Sequence, residues 1–457
     1  MSRKIIVFLI ATIFVVSIAF IKPVGKINDT EVFHQHEVCP KESKENKGLL
    51  ADGTLSTHLP IVILDTKGQA VPGLTPDDVG KLECSLSIID NKNGVNTSTE
   101  KPKVKSNISM SIRGNSSRGF KKKQYSIKLI DENGNAKSKS LLGMPKESSW
   151  ILNGSYIDKS MIRNYMLYNI CAEFMDNTPK CRFCEVMMTD KDGNQQYQGV
   201  YLLVEKVKVS ENRLNLTPYN KRYKESSFLV QMNSHIDNYK IEHVKPDEIG
   251  AYSMDLEYPS LDEATPKTLA YINSELSTFG KMFYDANHTG NWKKLEKSID
   301  MNTFVDYYIV NEFFQNYDAG MRSTYIYRNL GGKYCIGPVW DFDGTFDNFH
   351  NISMKKDFLE LKSYYHFYYL TQDPVFIRKC NIRYKKLRKT YLSDEYLLNY
   401  IDSCAEYLKS PAKRNCDKWY GGRYSEFTED IEKMKTFVLE RGEWMDENFS
   451  LRSSFVK

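Results

Sequence analysis

Three aspartates in this chain stand where buried elements would end. Asp318 closes the run Thr303 to Tyr317 (TFVDYYIVNEFFQNY), while Asp341 and Asp343 belong to Trp340-Asp-Phe-Asp-Gly344, directly after the apolar run Tyr334 to Val339. Asp318 and Asp341 are 23 residues apart. Phosphoryl transfer needs one carboxylate near the acceptor hydroxyl and another on the Mg2+ that bridges nucleotide oxygens, both fixed against a rigid core. Asp318 suits the first role and Asp341 the second. Taken alone, the same residues also suit a loop cap and a turn, and a D-x-D equally suits the metal site of a glycosyltransferase or a calcium loop.

A second constellation lies upstream. Ser109 to Ile112 reads as a strand, Arg113-Gly-Asn-Ser-Ser-Arg-Gly119 as a small-residue loop, and Gln124 to Ile130 as a strand again. The glycines of such a loop let backbone N–H groups approach phosphate oxygens, and Lys128 in the second strand supplies a point charge. A plain turn has the same composition. Lys121-Lys-Lys123, beside this loop, reads as a solvated charge run.

The elements that must hold these groups follow from periodicity. Leu59 to Asp65 and Leu82 to Ile88 read as strands of a small β-rich entry region, and Asp158 to Phe174 as a packed helix with Asp158 as its N-cap. Phe183 to Met188 and Gly199 to Val204 are two further strands around a Lys191-Asp-Gly-Asn turn. Strand, loop, strand, helix, strand, strand is the order of a kinase small lobe, with a boundary near residue 206. Residues 262 to 286 and 303 to 317 read as helices, Tyr325 to Tyr327 and Tyr334 to Val339 as a strand pair, and 374 to 447 as helical with breaks at Pro411 and Gly421-Gly422.

Four blocks in order, SIRGNSSRGFKKKQYSIKL (111 to 129), SSWILNGSYIDKSMIRNYMLYNI (148 to 170), GVYLLVEKV (199 to 207), and VNEFFQNYDAG with GPVWDFDGTFDN (310 to 348), closely resemble the spore coat protein H (CotH) kinase family over roughly residues 58 to 440. The resemblance implies an α+β, atypical protein-kinase-like fold of two lobes, with a β-rich N-terminal lobe and a mainly helical C-terminal one. It also implies transfer of the γ-phosphoryl group of ATP, with Mg2+ or Mn2+, to Ser or Thr hydroxyls of coat, surface or secreted proteins. Carried over by position, Asp318 matches the catalytic-loop aspartate, Asp341 the metal-binding aspartate, and Arg113, Gly114, Asn115 and Ser116 the family's R-G-N-S loop. Lys128 takes the phosphate-binding role by topology. Glu205 begins the stretch where a hinge would touch adenine, and Arg163-Asn164 resembles the family's R-N pair, as structural ion pair or as catalytic group. Where a conventional kinase holds its second metal with Asn, position 323 here is Ser, and Asp343 is the residue that would compensate. Glu173 is the candidate partner for the lysine.

Composition limits the rest. The chain has 457 residues, of which 41% are hydrophobic and 26% charged, so it can bury one large core or two ordinary ones. A net charge of +5 is too mild over this length to argue for nucleic acid, and a mean hydropathy of -0.51 excludes a polytopic membrane protein. Residues 1–25, with Arg3 and Lys4 before the apolar run Ile5 to Ile21, read as a retained anchor or a cleaved export signal that places the rest outside the cytoplasm, at a membrane, secreted or in a spore coat. Residues 26–57 read as a polar tether, 58–206 as the nucleotide-binding lobe and 207–457 as the catalytic and helical lobe. The nine cysteines fit disulfides in an exported protein, with at least one left over, and the lone Cys181-x-x-Cys184 is a poor zinc site. The aromatic stretch Lys355 to Tyr369 reads as packing or as an acceptor groove, and His350 as a satisfied histidine. Two other functions compete with the kinase. One is a kinase-like surface binding or adhesion protein that has lost turnover, which Ser323 and the scarcity of ATP outside cells favour; the other is nucleotide-dependent transfer of another group, such as AMP. Oligomeric state is not legible.

Overall fold

The computed structural model describes residues 46–75, 77–233, 240–241, 253–348 and 357–449, all within one compact unit, Gln35–Lys457. The anchor or signal at 1–25, residues 26–45 of the tether, Cys39 and His350 lie outside the described residues. Among the described residues no helix is long and apolar enough to cross a membrane.

The chain is α+β. Strands β1 (Gly48–Leu49), β2 (Leu55–Thr57) and β5 (Asn96–Thr97) make a small sheet, so the last part of the stretch read as a tether is folded. Seven strands close into a barrel: β3 (Ile61–Asp65), β4 (Leu82–Ile89), β6 (Val104–Arg113), β7 (Gln124–Ile130), β8 (Ser149–Asn153), β9 (Cys181–Thr189) and β10 (Gln195–Glu205), in the order β10-β8-β7-β6-β4-β3-β9. All neighbours are antiparallel except β3 and β9. Strand β6 shows the period of two that a half-buried strand needs: Ser106, Ile108, Met110 and Ile112 are buried and the residues between them are not. β10 is buried without a break from Gly199 to Glu205, because helices cover its other face.

A second antiparallel sheet runs β12-β13-β11-β14-β15, from β11 (Phe228–Asn233), β12 (Lys240–Ile241), β13 (Ser253–Tyr258), β14 (Thr324–Arg328) and β15 (Tyr334–Ile336). The helices are α1 (Arg163–Ala172), α2 (Pro266–Thr289), α3 (Lys293–Ser298), α4 (Met301–Phe313), α5 (Tyr365–Leu370), α6 (Pro374–Leu387), α7 (Asp394–Trp419) and α8 (Ser425–Asn448). In α1 every residue from Arg163 to Cys171 is buried, and in α4 nearly every one is, so both are central rather than surface helices. One apolar cluster joins them to Val200, Leu202 and Val204 of β10 and to the apolar faces of α6, α7 and α8.

Three local expectations change in the folded chain. Asp158 does not cap α1; its carboxylate accepts from the backbone N–H of Arg163 and the Arg163 guanidinium, and the helix starts after Ile162. Pro411 does not break the C-terminal helix. It lies buried inside α7, whose Leu397, Ile401, Cys404, Leu408, Ala412 and Cys416 keep one apolar face in phase on both sides of it, so packing outweighs the lost backbone bond. Among the described residues no disulfide joins the cysteines, and Cys181 and Cys184, three residues apart on one strand, point to opposite faces and cannot share a metal.

The lysine run is the largest departure from a solvated face. Lys122 is fully buried: its ammonium donates to the Val200 carbonyl and, at 2.9 Å, to Asn415 Oδ1, and lies 4.8 Å over the Tyr201 ring. It ties the loop before β7 to α7. Gly199, at φ +102, allows that approach, since a Cβ there would stand 2.5 Å from Asn415 Oδ1 and 2.9 Å from Trp419 Nε1. Burial drives the Lys122 pKa down to about 7, against the pull of Asp158 and Asp343. The unfolded chain therefore holds more protons than the native one between about pH 7 and the ordinary lysine pKa, and stability rises with pH across that window. Urea melts of wild type and Lys122→Met at pH 7, 8.5 and 10 are expected to show this rise in wild type alone; equal slopes would refute it.

Candidate active site

The glycine loop and both acidic segments line one cleft of about 500 Å3. From one side come Arg113, the last residue of β6, and Gly114, Asn115 and Ser116 after it; from the other come Asp318, Asp341 and Asp343. The barrel contributes the first group, while loops following α4 and β15 contribute the second.

Each aspartate is aimed by the turn it sits in. After α4 the chain leaves helical geometry at Gln315, with φ +47, and Asp318 starts a tight turn in which its carbonyl accepts from the backbone N–H of Arg322 at 2.7 Å. The Arg322 guanidinium returns to Asp318 Oδ1 at 3.2 Å. Ser323, also at positive φ, donates its hydroxyl to Asp341 Oδ2 at 3.2 Å, which links the two acidic loops. Of ten described non-glycine residues at positive φ, five (Gln315, Ser323, Asp341, Phe346 and Asp347) fall in these loops. Such strain persists only where surrounding contacts impose it.

Here the contacts are visible. The Asp341 N–H donates to Tyr168 Oη at 3.3 Å and its carbonyl accepts from Asn316 Nδ2 at 3.3 Å. Burial and then the nearby Asp318 charge push the Asp341 pKa up to about 6, while Arg113 and Ser323 pull it down. Asp343 is also raised well above its ordinary value, by burial first and then by Asp341 and Asp158. Crowded carboxylates of this kind, Asp343 buried and Asp341 half-buried, are relieved by a cation. The donors are hard oxygens, which fits Mg2+ or Mn2+. Among the described residues no group of three His, Cys, Asp or Glu stands together as a ready-made metal cage; a site that binds through one or two carboxylates plus substrate phosphates does not need one.

The loop side is cationic. Arg113 lies 5.8 Å over the Trp340 ring and contacts Gln124 at 3.4 Å, so it reaches from the glycine loop to the segment that carries Asp341. Arg118 donates through Nε to the Gly114 carbonyl at 2.5 Å and closes the loop on itself. Gly114, at φ +107, leaves room for Ser117, whose Oγ a Cβ would meet at 1.8 Å.

The CotH kinase protein family model matches residues 110–445. The chain belongs to the CotH kinase family. It is also similar to the inner spore coat protein H of Bacillus subtilis (strain 168), at 22% identity over 297 residues that cover 65% of this chain and 74% of the relative.

Not all the residues expected of a CotH kinase site come together. Lys128 shares a face of β7 with Ser126, which lines the cleft, but it sits one pleat further from the loop, exposed and outside the lining. The cleft's cations are instead Arg113, Arg118, Lys206 and Arg322. Glu205 is also outside the lining: its carboxylate is buried against Arg213 and accepts the Lys180 N–H at 3.0 Å, and only its successors Lys206 and Val207 border the cleft. Glu173, the C-cap of α1, meets Tyr391. Arg163 is the structural member of its pair, bound to Asp158 and Asp430, whereas Asn164 reaches the acidic segment itself. Tyr364, Phe367 and Tyr369 of the aromatic stretch are buried, so those rings serve as core. Arg118 belongs to the 113–119 loop already singled out, whereas Arg322 was missed from sequence, although it adjoins Ser323.

Proposed function

We propose that the chain is an ATP-dependent protein kinase of two lobes, residues 58–206 and 207–457, that transfers the γ-phosphoryl group to Ser or Thr hydroxyls of coat, surface or secreted proteins. The observation that carries this reading is the single cleft in which the Arg113–Ser116 loop faces Asp318, Asp341 and Asp343. Asp318, half-buried and held by Arg322, would orient the acceptor hydroxyl and take its proton. Asp341, with Asp343, would hold Mg2+ or Mn2+, and the bound ion would neutralise charge developing on the phosphate oxygens. Arg113 and Arg118 would place the phosphates, and the backbone at Lys206 and Val207 borders the space for the base. The similarity to a spore coat protein supports a place in a coat, and residues 1–25 would serve as export signal or anchor.

The test is transfer of label from γ-32P ATP to a Ser-containing acceptor by the purified chain with Mg2+ or Mn2+, alongside melting with and without ATP. Transfer and a metal-dependent rise in melting temperature are expected. No transfer with either metal and no shift on ATP would sink the kinase and leave a binding protein. Within this reading, Gly114→Ala should raise the KM for ATP by about tenfold, equivalent to about 1.4 kcal/mol, because the added Cβ displaces Ser117 from the loop. An unchanged KM in a fully folded variant would remove this loop from phosphate binding.

A further inference from the structure

Helix α1 lies behind the acidic segment and fastens it at successive residues. Tyr168 Oη accepts the Asp341 N–H at 3.3 Å, Asn164 Oδ1 accepts the Phe342 N–H at 2.8 Å, and Asn164 Nδ2 donates to Asp343 Oδ1. Arg163 Nε donates to the Thr345 carbonyl at 3.0 Å. Asn164 and Tyr168 are one helical turn apart and so lie on one face. Their relative exposures are 1% and 2%, and the bonds of Asn164 are buried.

The amide of Asn164 accepts a backbone N–H through its oxygen and donates to a carboxylate through its nitrogen at once. With it, the segment is held from both sides of Phe342. Tyr168 then fixes Asp341 in a positive-φ conformation that a free loop would leave. The Tyr168 ring adds packing at 5.6 Å to Phe342 and 5.9 Å to Trp340, so the hydroxyl's contribution can be separated from the ring's.

We infer that Asn164 and Tyr168 are positioning residues for the metal-binding carboxylates, orienting Asp343 and Asp341 respectively before the ion arrives. This rests on the reading of Asp341 as a metal ligand. A ligand carboxylate already held by an outer hydrogen bond loses less freedom on binding, and removal of such partners typically weakens metal binding about 10–100-fold.

The experiment is a Mn2+ titration followed by electron paramagnetic resonance, on the full chain saturated with the non-hydrolysable analogue AMP-PNP, for wild type, Asn164→Ala, Tyr168→Phe and Asp341→Ala. Asn164→Ala is expected to weaken Mn2+ by about 10–100-fold and Tyr168→Phe by a smaller factor, with metal-free affinity for AMP-PNP unchanged in both. Thermal melts establish folding; if Asn164→Ala does not fold, Tyr168→Phe, which keeps the ring, decides. Wild-type Mn2+ affinity in the folded variants, with binding lost in Asp341→Ala, overturns the inference alone. Equal binding by wild type and Asp341→Ala overturns it together with the reading beneath it.

Discussion

Asp318→Asn should lower phosphoryl transfer by about 10²–10⁴-fold while the protein stays folded and still binds ATP with metal. The amide matches the carboxylate in size but cannot take a proton from the acceptor. Its ion pair with Arg322 is open to solvent, with side-chain exposures of 43% and 31%, so its loss should cost little stability. Asp341→Ala should differ in kind: transfer falls below detection and the metal-dependent stabilisation by ATP disappears with it. Single-turnover transfer and melting curves for the two variants separate the roles. If Asp318→Asn retained more than a tenth of wild-type transfer, another group would be the base; if Asp341→Ala kept its metal-dependent shift, the metal would sit elsewhere.

The largest effect on stability is expected from Asp430→Ala. Arg163 is completely buried and gives Nη2 to Asp430 Oδ1 at 2.7 Å and Nη1 to Asp430 Oδ2 and Asp158 Oδ1. Burial alone would raise the Asp430 pKa, but the guanidinium outweighs it and holds the carboxyl below its usual range. Removing one anion leaves Arg163 with a single carboxylate in a site that water cannot enter. Breaking a buried pair in this way costs about 3–5 kcal/mol, to be read from urea unfolding as a drop in midpoint at constant m. A loss under 1 kcal/mol would mean that the site rehydrates. Arg163 also holds the Thr345 carbonyl, so the folded fraction of Asp430→Ala should show weaker metal binding as well.

Much of this protein was readable in one dimension because the determining interactions are local. The alternation of β4, the strand-like end of β6 and the apolar faces of α4 are short-range patterns, and the hairpin of β14 and β15 is marked by Gly331-Gly332. The glycine loop and the acidic segments are short motifs whose chemistry lies in adjacent residues, and their order along the chain carried the family resemblance. The strands β8, β11 and β13 were not legible, since each becomes a strand only through neighbours that are distant in sequence: β8 pairs with β7 and β10, and β11 with β13 and β14.

What tertiary structure decided was which polar groups lose water. Three consecutive lysines carry no sign of which is buried; Lys122 is, because Val200 and Asn415, 78 and 293 residues away, supply its acceptors. Lys128 has the residue type and strand position of a phosphate ligand, yet the barrel's curvature and register leave it outside the cleft. Asp158 looks like the N-cap by spacing, but the helix starts after Ile162, and the Asp158 carboxylate accepts both the Arg163 N–H and the buried Arg163 guanidinium. Sequence alone determined which groups could do the chemistry; the fold determined which of them meet, since desolvation and long-range hydrogen bonds depend on neighbours that only the closed chain supplies.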